Sequence, residues 1–301
     1  MKRRDYLEIA ACLRGERVLY HYYPDRYAFV LLSWASKNGV DLNRLRASPY
    51  AALLQKPAVR ELLANCGGAH VDHTVFDDHW PRDTRNFVLG LDHWSHLQTS
   101  RSDGQSYNLV LQLNFTQQHM QDVRARFGTS DLFNYAFHPV QIGGEKETRE
   151  TLAWARIDMD LASDEALIEE IQSDWMASLH WASRNGWWLD GQKIEKEVFA
   201  LYSQECLGWL RAQWSEAMLA AALEFLRFEI GISKIFFHTW EGGNIVKGMQ
   251  DSLPPRSLYT SLPKQFCLTR STQAPEFLLE DRRLRRLFRA RRDIEFYHLA
   301  A

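Results

Sequence analysis

The residues best equipped for chemistry lie in Leu152–Trp175, LAWARIDMDLASDEALIEEIQSDW. Residues 152 to 161 alternate in character. Ala155, Ile157, Met159 and Leu161 fall on one side, and Trp154, Arg156, Asp158 and Asp160 fall on the other. A period of two is the signature of a half-buried strand. Residues 167 to 175 alternate less cleanly. Leu167, Ile171 and Trp175 share a side with Glu169 and Ser173, while Glu170, Gln172 and Asp174 share the opposite side. Ser163–Ala166 between them has turn composition. A register that closes a loop over Asp164–Ala166 sets Asp160 opposite Glu170, Asp158 opposite Gln172 and Arg156 opposite Asp174. It also matches Met159 with Ile171, and a slip of one residue would mix the faces.

That register predicts a polar face of Arg156, Asp158, Asp160, Glu170, Gln172 and Asp174. Opposed carboxylates repel unless a proton, a metal ion or an arginine intervenes, so at least one pKa on this face is expected to be raised. Two chemistries fit. Glu170, Gln172 and Asp174, with His238 and Glu241 at the rim, are candidate catalytic groups for acid–base work, Tyr259 assisting. Alternatively, Asp158 or Asp160 with Glu170 forms a candidate site for Mg²⁺, a cation that takes carboxylate oxygens. A solvated sheet face would carry the same pattern without any chemistry.

The surrounding elements must hold that face. YNLVLQLNF, residues 107 to 115, reads as a strand. Thr116 then caps a helix Gln117 to Phe127 that Gly128 ends. Residues 192 to 211 read as a helix carrying Ile194, Val198, Leu201, Cys206 and Leu210, and Ser215 starts a second one that ends at Gly231. Ile232–Thr239 is a short apolar strand. A strand, a helical crossover and a second strand favour a parallel pair, which places His238 and Glu241 at the carboxyl end beside Gln172 and Asp174. Gly242-Gly243 reads as a backbone turn or as the lead-in to a helix beginning at Asn244. The terminal DIEFYHL reads as a last strand. Residues 1 to 66 read as a helical layer in which Asp25 caps a helix through Trp34 to Asn38-Gly39, and Pro49 and Pro57 open short helices. Residues 67 to 106 read as a long irregular loop. There Cys66, His70 and His73 offer metal-ligand types at a spacing that no standard zinc module uses. His138-Pro139 and Gly143-Gly144 mark another connection.

The expected architecture is α+β: a mixed sheet with a central antiparallel hairpin, a parallel crossover and a helical N-terminal layer. Residues 1–106 are the helical region and loop, 107–301 the sheet domain, and the two pack as one unit. A hydrophobic content of 46 % and a charged content of 25 % in 301 residues support a sizeable core. The net charge of −2 points to no particular partner. The N-terminus lacks a signal-peptide pattern and no apolar run reaches membrane length, so a cytoplasmic location without membrane contact is expected. Scattered Cys12, Cys66, Cys206 and Cys267 fit a reducing compartment. One strongly charged element stands apart. Arg282, Arg283, Arg285, Arg286, Arg289, Arg291 and Arg292 crowd a helix with Leu284, Leu287 and Phe288. Arg285, Arg286 and Arg289 are candidate contacts for nucleic acid or an acidic partner.

Glu170–Trp175 with the flanking glutamate, EEIQSDW, the helix–strand unit Leu219 to Thr239 and the stretch Tyr259 to Pro263 resemble a Glu-Ile-Gln-Ser-Asp-Trp domain of large polyvalent phage and mobile-element proteins. The likeness covers about residues 150 to 270 and implies an interaction module of a bacterial mobile element. The element order also resembles the GNAT-type acetyltransferase fold, which implies a transferase. The acyl-CoA turn expected after Trp175 is replaced by MASLHWASRNGWW. The order of strands with an Asp on one and Glu-x-Gln on the next resembles PD-(D/E)xK nucleases, with Gln172 in place of the usual lysine. That likeness implies Mg²⁺-dependent cleavage of nucleic acid.

Overall fold

Alternating apolar residues build a sheet whose two faces are both covered. The structure is a computed structural model. It describes residues 1–12, 18–94, 99–101, 107–129, 132–133, 149–249 and 254–299, apart from the side chains of Val18, Cys206 and Leu207. His96, Ser102, Gly104, His138-Pro139 and Gly143-Gly144 fall outside the described residues. Strands β1 (Val18–Tyr22), β2 (Arg85–Trp94), β3 (Asn108–Asn114), β4 (Thr151–Asp160), β5 (Glu165–Gln172), β6 (Lys234–His238), β7 (Thr269–Ser271) and β8 (Phe296–His298) form one sheet. Their order is β1-β2-β3-β4-β5-β6-β8-β7. Neighbours run antiparallel except β5 and β6, which pair in parallel, Phe236 beside Leu167. The fold is α+β, with the hairpin and the parallel crossover at its centre.

Among the helices that pack around the larger core are α1 (Arg3–Cys12), α2 (Arg26–Ala35), α3 (Gln117–Phe127) and α4 (Asp174–Asn185). A long helix, α5 (Lys196–Glu224), lies along β4 and β5 and continues as a π-helical segment Phe225–Ile230. Gly231, at φ +85°, ends it in a left-handed turn that favours glycine. Ser215 therefore lies inside one continuous helix and starts nothing. Its neighbours Ala217–Leu223 are all buried, so packing overrides the weak local start signal. Leu109, Leu111, Leu113, Ala155, Ile157, Met159, Ala166, Ile168 and Ile171 face this layer. Residues 1 to 66 also contain β1, and residues 67 to 106 contain β2, ten residues long. The sheet thus takes strands from both sides of residue 106. The helix after Asp25 spans Arg26–Ala35, and Asp25 gives it no side-chain cap. Its backbone is left-handed at φ +63° and its carboxylate holds Lys56 at 2.8 Å instead.

The opposite face carries a smaller core of Leu167, Phe236, Val246, Phe277, Leu278, Leu284, Ile294 and Phe296. Helices α6 (Trp240–Lys247) and α7 (Arg282–Ala290) supply part of it. Thr239 Oγ1 caps α6 by accepting from the Gly242 amide at 3.0 Å, so the helix begins four residues before Asn244. Among the described residues, no helix is long and apolar enough to cross a membrane.

Candidate functional site

The hairpin has a different register from the one that alternation predicts. Its turn covers residues 161–164, so Asp160 pairs with Glu165, Asp158 with Leu167, and Ile157 with Ile168. Arg156 then pairs with Glu170, and Trp154 with Gln172. Glu169 is the extra residue, a β-bulge. It joins Glu170 on the polar face, while Ala166, Ile168 and Ile171 keep to the apolar one. A charged residue in the otherwise apolar series Leu167, Ile171, Trp175 was the available signal of this bulge.

Glu169 is the hub. It is fully buried, and its carboxylate accepts from the Ser100 amide at 3.1 Å and from the Ser100 hydroxyl at 2.7 Å. His238 Nε2 lies 3.2 Å from Oε2 and 3.0 Å from Ser100 Oγ. Lys247 Nζ donates to the Glu169 carbonyl at 2.7 Å and stands 3.7 Å from its carboxylate and 3.9 Å from that of Glu170. Arg156, buried beneath the Trp94 ring, donates to Glu170 at 2.7 Å. Asp158 receives both Arg101 Nε and Nη2 at 2.7 Å and also pairs with the Met1 amino group. Arg283 reaches from α7 to the carbonyls of Ser100 and Val246.

Each buried charge of this network therefore has an opposite neighbour, as burial demands. Burial alone would raise the pKa of Glu169, but His238, Lys247 and Arg156 outweigh it and hold the carboxyl well below the usual range. Burial lowers the pKa of His238 despite Glu169, with Lys247 and Arg156 adding to the effect. Burial likewise lowers Lys247, against the pull of Glu170 and Glu169. On this face the pKa of Glu165 is raised, chiefly by burial, with the nearby charge of Glu276 adding a smaller push. Among the described residues, His238 Nδ1 and the side-chain amides of Asn108 and Gln112 are buried and find no hydrogen-bond partner.

The structure brings Asp158, Glu170 and His238 into this network and leaves other expected members out. Asp160 closes the hairpin turn by accepting from the Ser163 amide at 2.9 Å. Asp174 opens α4 and accepts from Trp154 Nε1 at 2.9 Å and from the Gln172 amide. Glu241 lies exposed on α6 and pairs with Arg256 at 3.1 Å. Tyr259 stacks on Phe237 on the side of the larger core, its phenol raised by burial. The Mg²⁺ arrangement does not fit these residues. Asp158 is occupied by Arg101, Asp160 by the turn and Glu170 by Arg156. No group of three candidate ligands for a metal ion stands among the described residues. That covers the upstream trio as well. Cys66 donates to the Leu62 carbonyl, His70 sits in a two-residue strand beneath Gly39, and His73 pairs with Asp77 at 2.8 Å.

The arginine helix borders an accessible groove. Asp281 caps α7 by accepting from the amides of Arg283 at 2.7 Å and Leu284 at 3.0 Å, and Leu284 plugs the smaller core. Beside it lies a groove of about 440 Å³ lined by Leu279, Arg285, Phe288, Arg289 and Arg292. Arg285 is turned back onto the carbonyls of Leu279 at 2.6 Å and Glu280 at 3.3 Å, and Arg291 pairs with Asp293 at 2.8 Å. Among the described residues, Arg282, Arg286, Arg289 and Arg292 are exposed and make no ion pair. The chain matches no family model, no curated protein and no solved structure.

Proposed function

We propose that the chain is a non-enzymatic binding module that holds an acidic peptide segment in the groove beside α7. The observation that carries this reading is the pairing of uncompensated Arg289 and Arg292 with an apolar floor of Leu279 and Phe288. Guanidinium groups take carboxylates in bidentate fashion, and clusters of them recognise acidic motifs. The floor accepts one apolar side chain between the charges. A nine-residue helix is about 14 Å long at 1.5 Å per residue, a footprint for a few carboxylates. A net charge of −2 supplies no broad positive field for a nucleic-acid backbone.

The test is fluorescence anisotropy with a labelled peptide of four glutamates flanking one phenylalanine, beside the same peptide with glycine at the centre and a single-stranded oligonucleotide of equal charge. Arg289→Glu with Arg292→Glu is expected to weaken the phenylalanine peptide at least tenfold, and the glycine peptide is expected to bind more weakly. Preference for the oligonucleotide, with a steep fall in affinity as salt rises, would turn the reading to nucleic acid.

One observation favours a second reading, the acid–base transferase: the Nδ1, unpartnered among the described residues, of buried, neutral-leaning His238 beside Glu169 and Ser100. Ser100 and Glu169 both meet Nε2, so the three do not form a relay in which each ring nitrogen has its own partner. A thermal-shift scan of acyl donors and other cofactors tests it, since a ligand of the native state raises stability. No shift by any of them removes its support.

A further inference from the structure

The segment Thr99–Arg101 is held in an unusual way. It belongs to the connection between β2 and β3, which are adjacent antiparallel strands. Such neighbours can be joined by about two residues, yet 13 residues, 95–107, separate these two strands, and the described Thr99–Arg101 lies on the polar face. Ser100 sits against Glu169 on β5, two strands from β3, and against His238 on β6, three strands away. At a strand spacing of about 4.8 Å that is a reach of roughly 10–14 Å.

Among the described residues, side chains hold Ser100 there. Its amide and hydroxyl both go to the Glu169 carboxylate, and its carbonyl accepts from Arg283. The next residue presents its guanidinium to both oxygens of Asp158 and lies 5.2 Å over the Phe277 ring. Three side chains, Glu169, Arg283 and Asp158, thus read an amide, a hydroxyl, a carbonyl and a guanidinium, which is how a protein recognises a bound peptide. The same face keeps the buried amides of Asn108 and Gln112 and the Nδ1 of His238 without partners among the described residues.

From this geometry we infer that the polar face is a peptide site occupied in cis by residues 99–101, and that it takes a Ser-Arg segment of another chain when its own is displaced. Glu169 and Arg283 read the serine residue, and Asp158 reads the arginine. A tethered segment has an effective concentration in the millimolar range, so the site is masked in the resting protein. The inference is independent of the α7 groove.

Two measurements test it. In the unaltered protein, native-state hydrogen exchange is expected to show the 99–101 amides opening while β4 and β5 stay protected. Exchange of the segment only together with those strands would overturn the proposal. In the second, a fluorescein-labelled hexapeptide containing Thr-Ser-Arg is titrated into the unaltered chain and into Arg101→Ala. The variant gives up its own segment's hold on Asp158 and keeps every receiving side chain, so it is expected to bind the peptide at least tenfold more tightly. Adding Asp158→Asn is expected to abolish that gain. A folded Arg101→Ala protein that shows no saturable binding refutes the proposal, and if that variant does not fold, the exchange experiment decides alone.

Discussion

Replacing Glu169 by Gln keeps the shape of the hub and removes its charge. The amide can still accept from the Ser100 N–H and offer its own N–H₂ to Ser100 Oγ and His238 Nε2, so the local hydrogen bonds survive. What is lost is the counter-charge of Lys247. That ammonium is nearly fully buried, and its remaining carboxylate neighbour, Glu170, lies 3.9 Å away and is already shared with Arg156. Removing one partner of a buried ion pair costs about 3–5 kcal/mol. Against a total stability of about 5–15 kcal/mol for an ordinary native protein, E169Q is expected to stand near the threshold of folding. Replacing both charges, E169Q with Lys247→Met, is expected to recover most of the loss, since a neutral pair leaves no orphaned ion. Urea unfolding followed by circular dichroism gives the four stabilities of the cycle, read from midpoints at constant m. A cost below about 1 kcal/mol for E169Q, with additive effects of the two substitutions, would show that the network does not hold the fold and that its charges are effectively solvated.

Acid should weaken the fold in two steps. The folded pKa of His238 lies below its unfolded value, so the unfolded chain takes up the proton first. The associated stability is full above about pH 6.5 and falls as pH drops through that value. The folded pKa of Glu169 also lies below its unfolded value, and its contribution is present above about pH 4.3 and lost in stronger acid. Thermal midpoints between pH 8 and 5 should therefore flatten in His238→Gln, and an unchanged slope would contradict the first step. Gly208 lies exposed within α5, with open space where an added methyl group would stand; Gly208→Ala is expected to raise stability by about 0.8–1 kcal/mol. Gly242→Ala should do the reverse, by about 1–3 kcal/mol, because its methyl group would stand 2.6 Å from the Glu295 carbonyl. Equal thermal midpoints for the two glycine variants would contradict that packing.

The fold was legible where one physical signal dominated. The two strands of the hairpin, the helix between Thr116 and Gly128, and the parallel pairing of Ile235 with Ala166 follow from alternation, from a glycine stop and from the handedness of crossovers. Strand β2 was hidden because RNFVLGLDHW mixes Asp, His and Asn with apolar residues, and its outward side chains are only partly covered. Ser215 misled because a capping residue inside a helix looks the same in sequence as one at its start. The site was half legible. Asp158, Glu170 and His238 stood out as polar groups in apolar strands. Glu169 did not, because a bulge changes the face a residue occupies without changing its neighbours. Ser100, Arg101 and Lys247 come from distant segments, and only the placement of α6 and of Thr99–Arg101 against the sheet brings them near.

The bulge also gives β5 two phases. Up to Ile168 the even positions point into the larger core, and from Ile171 onward the odd positions do. Deleting Glu169 would restore a single phase and leave both flanks paired as they are now. Most one-residue deletions inside a central strand invert everything downstream, whereas this one would not. Position 169 is thus the place in β5 where length can vary without refolding the sheet. In relatives that lack the buried carboxylate, a one-residue gap is expected there, accompanied by loss of the cation at position 247.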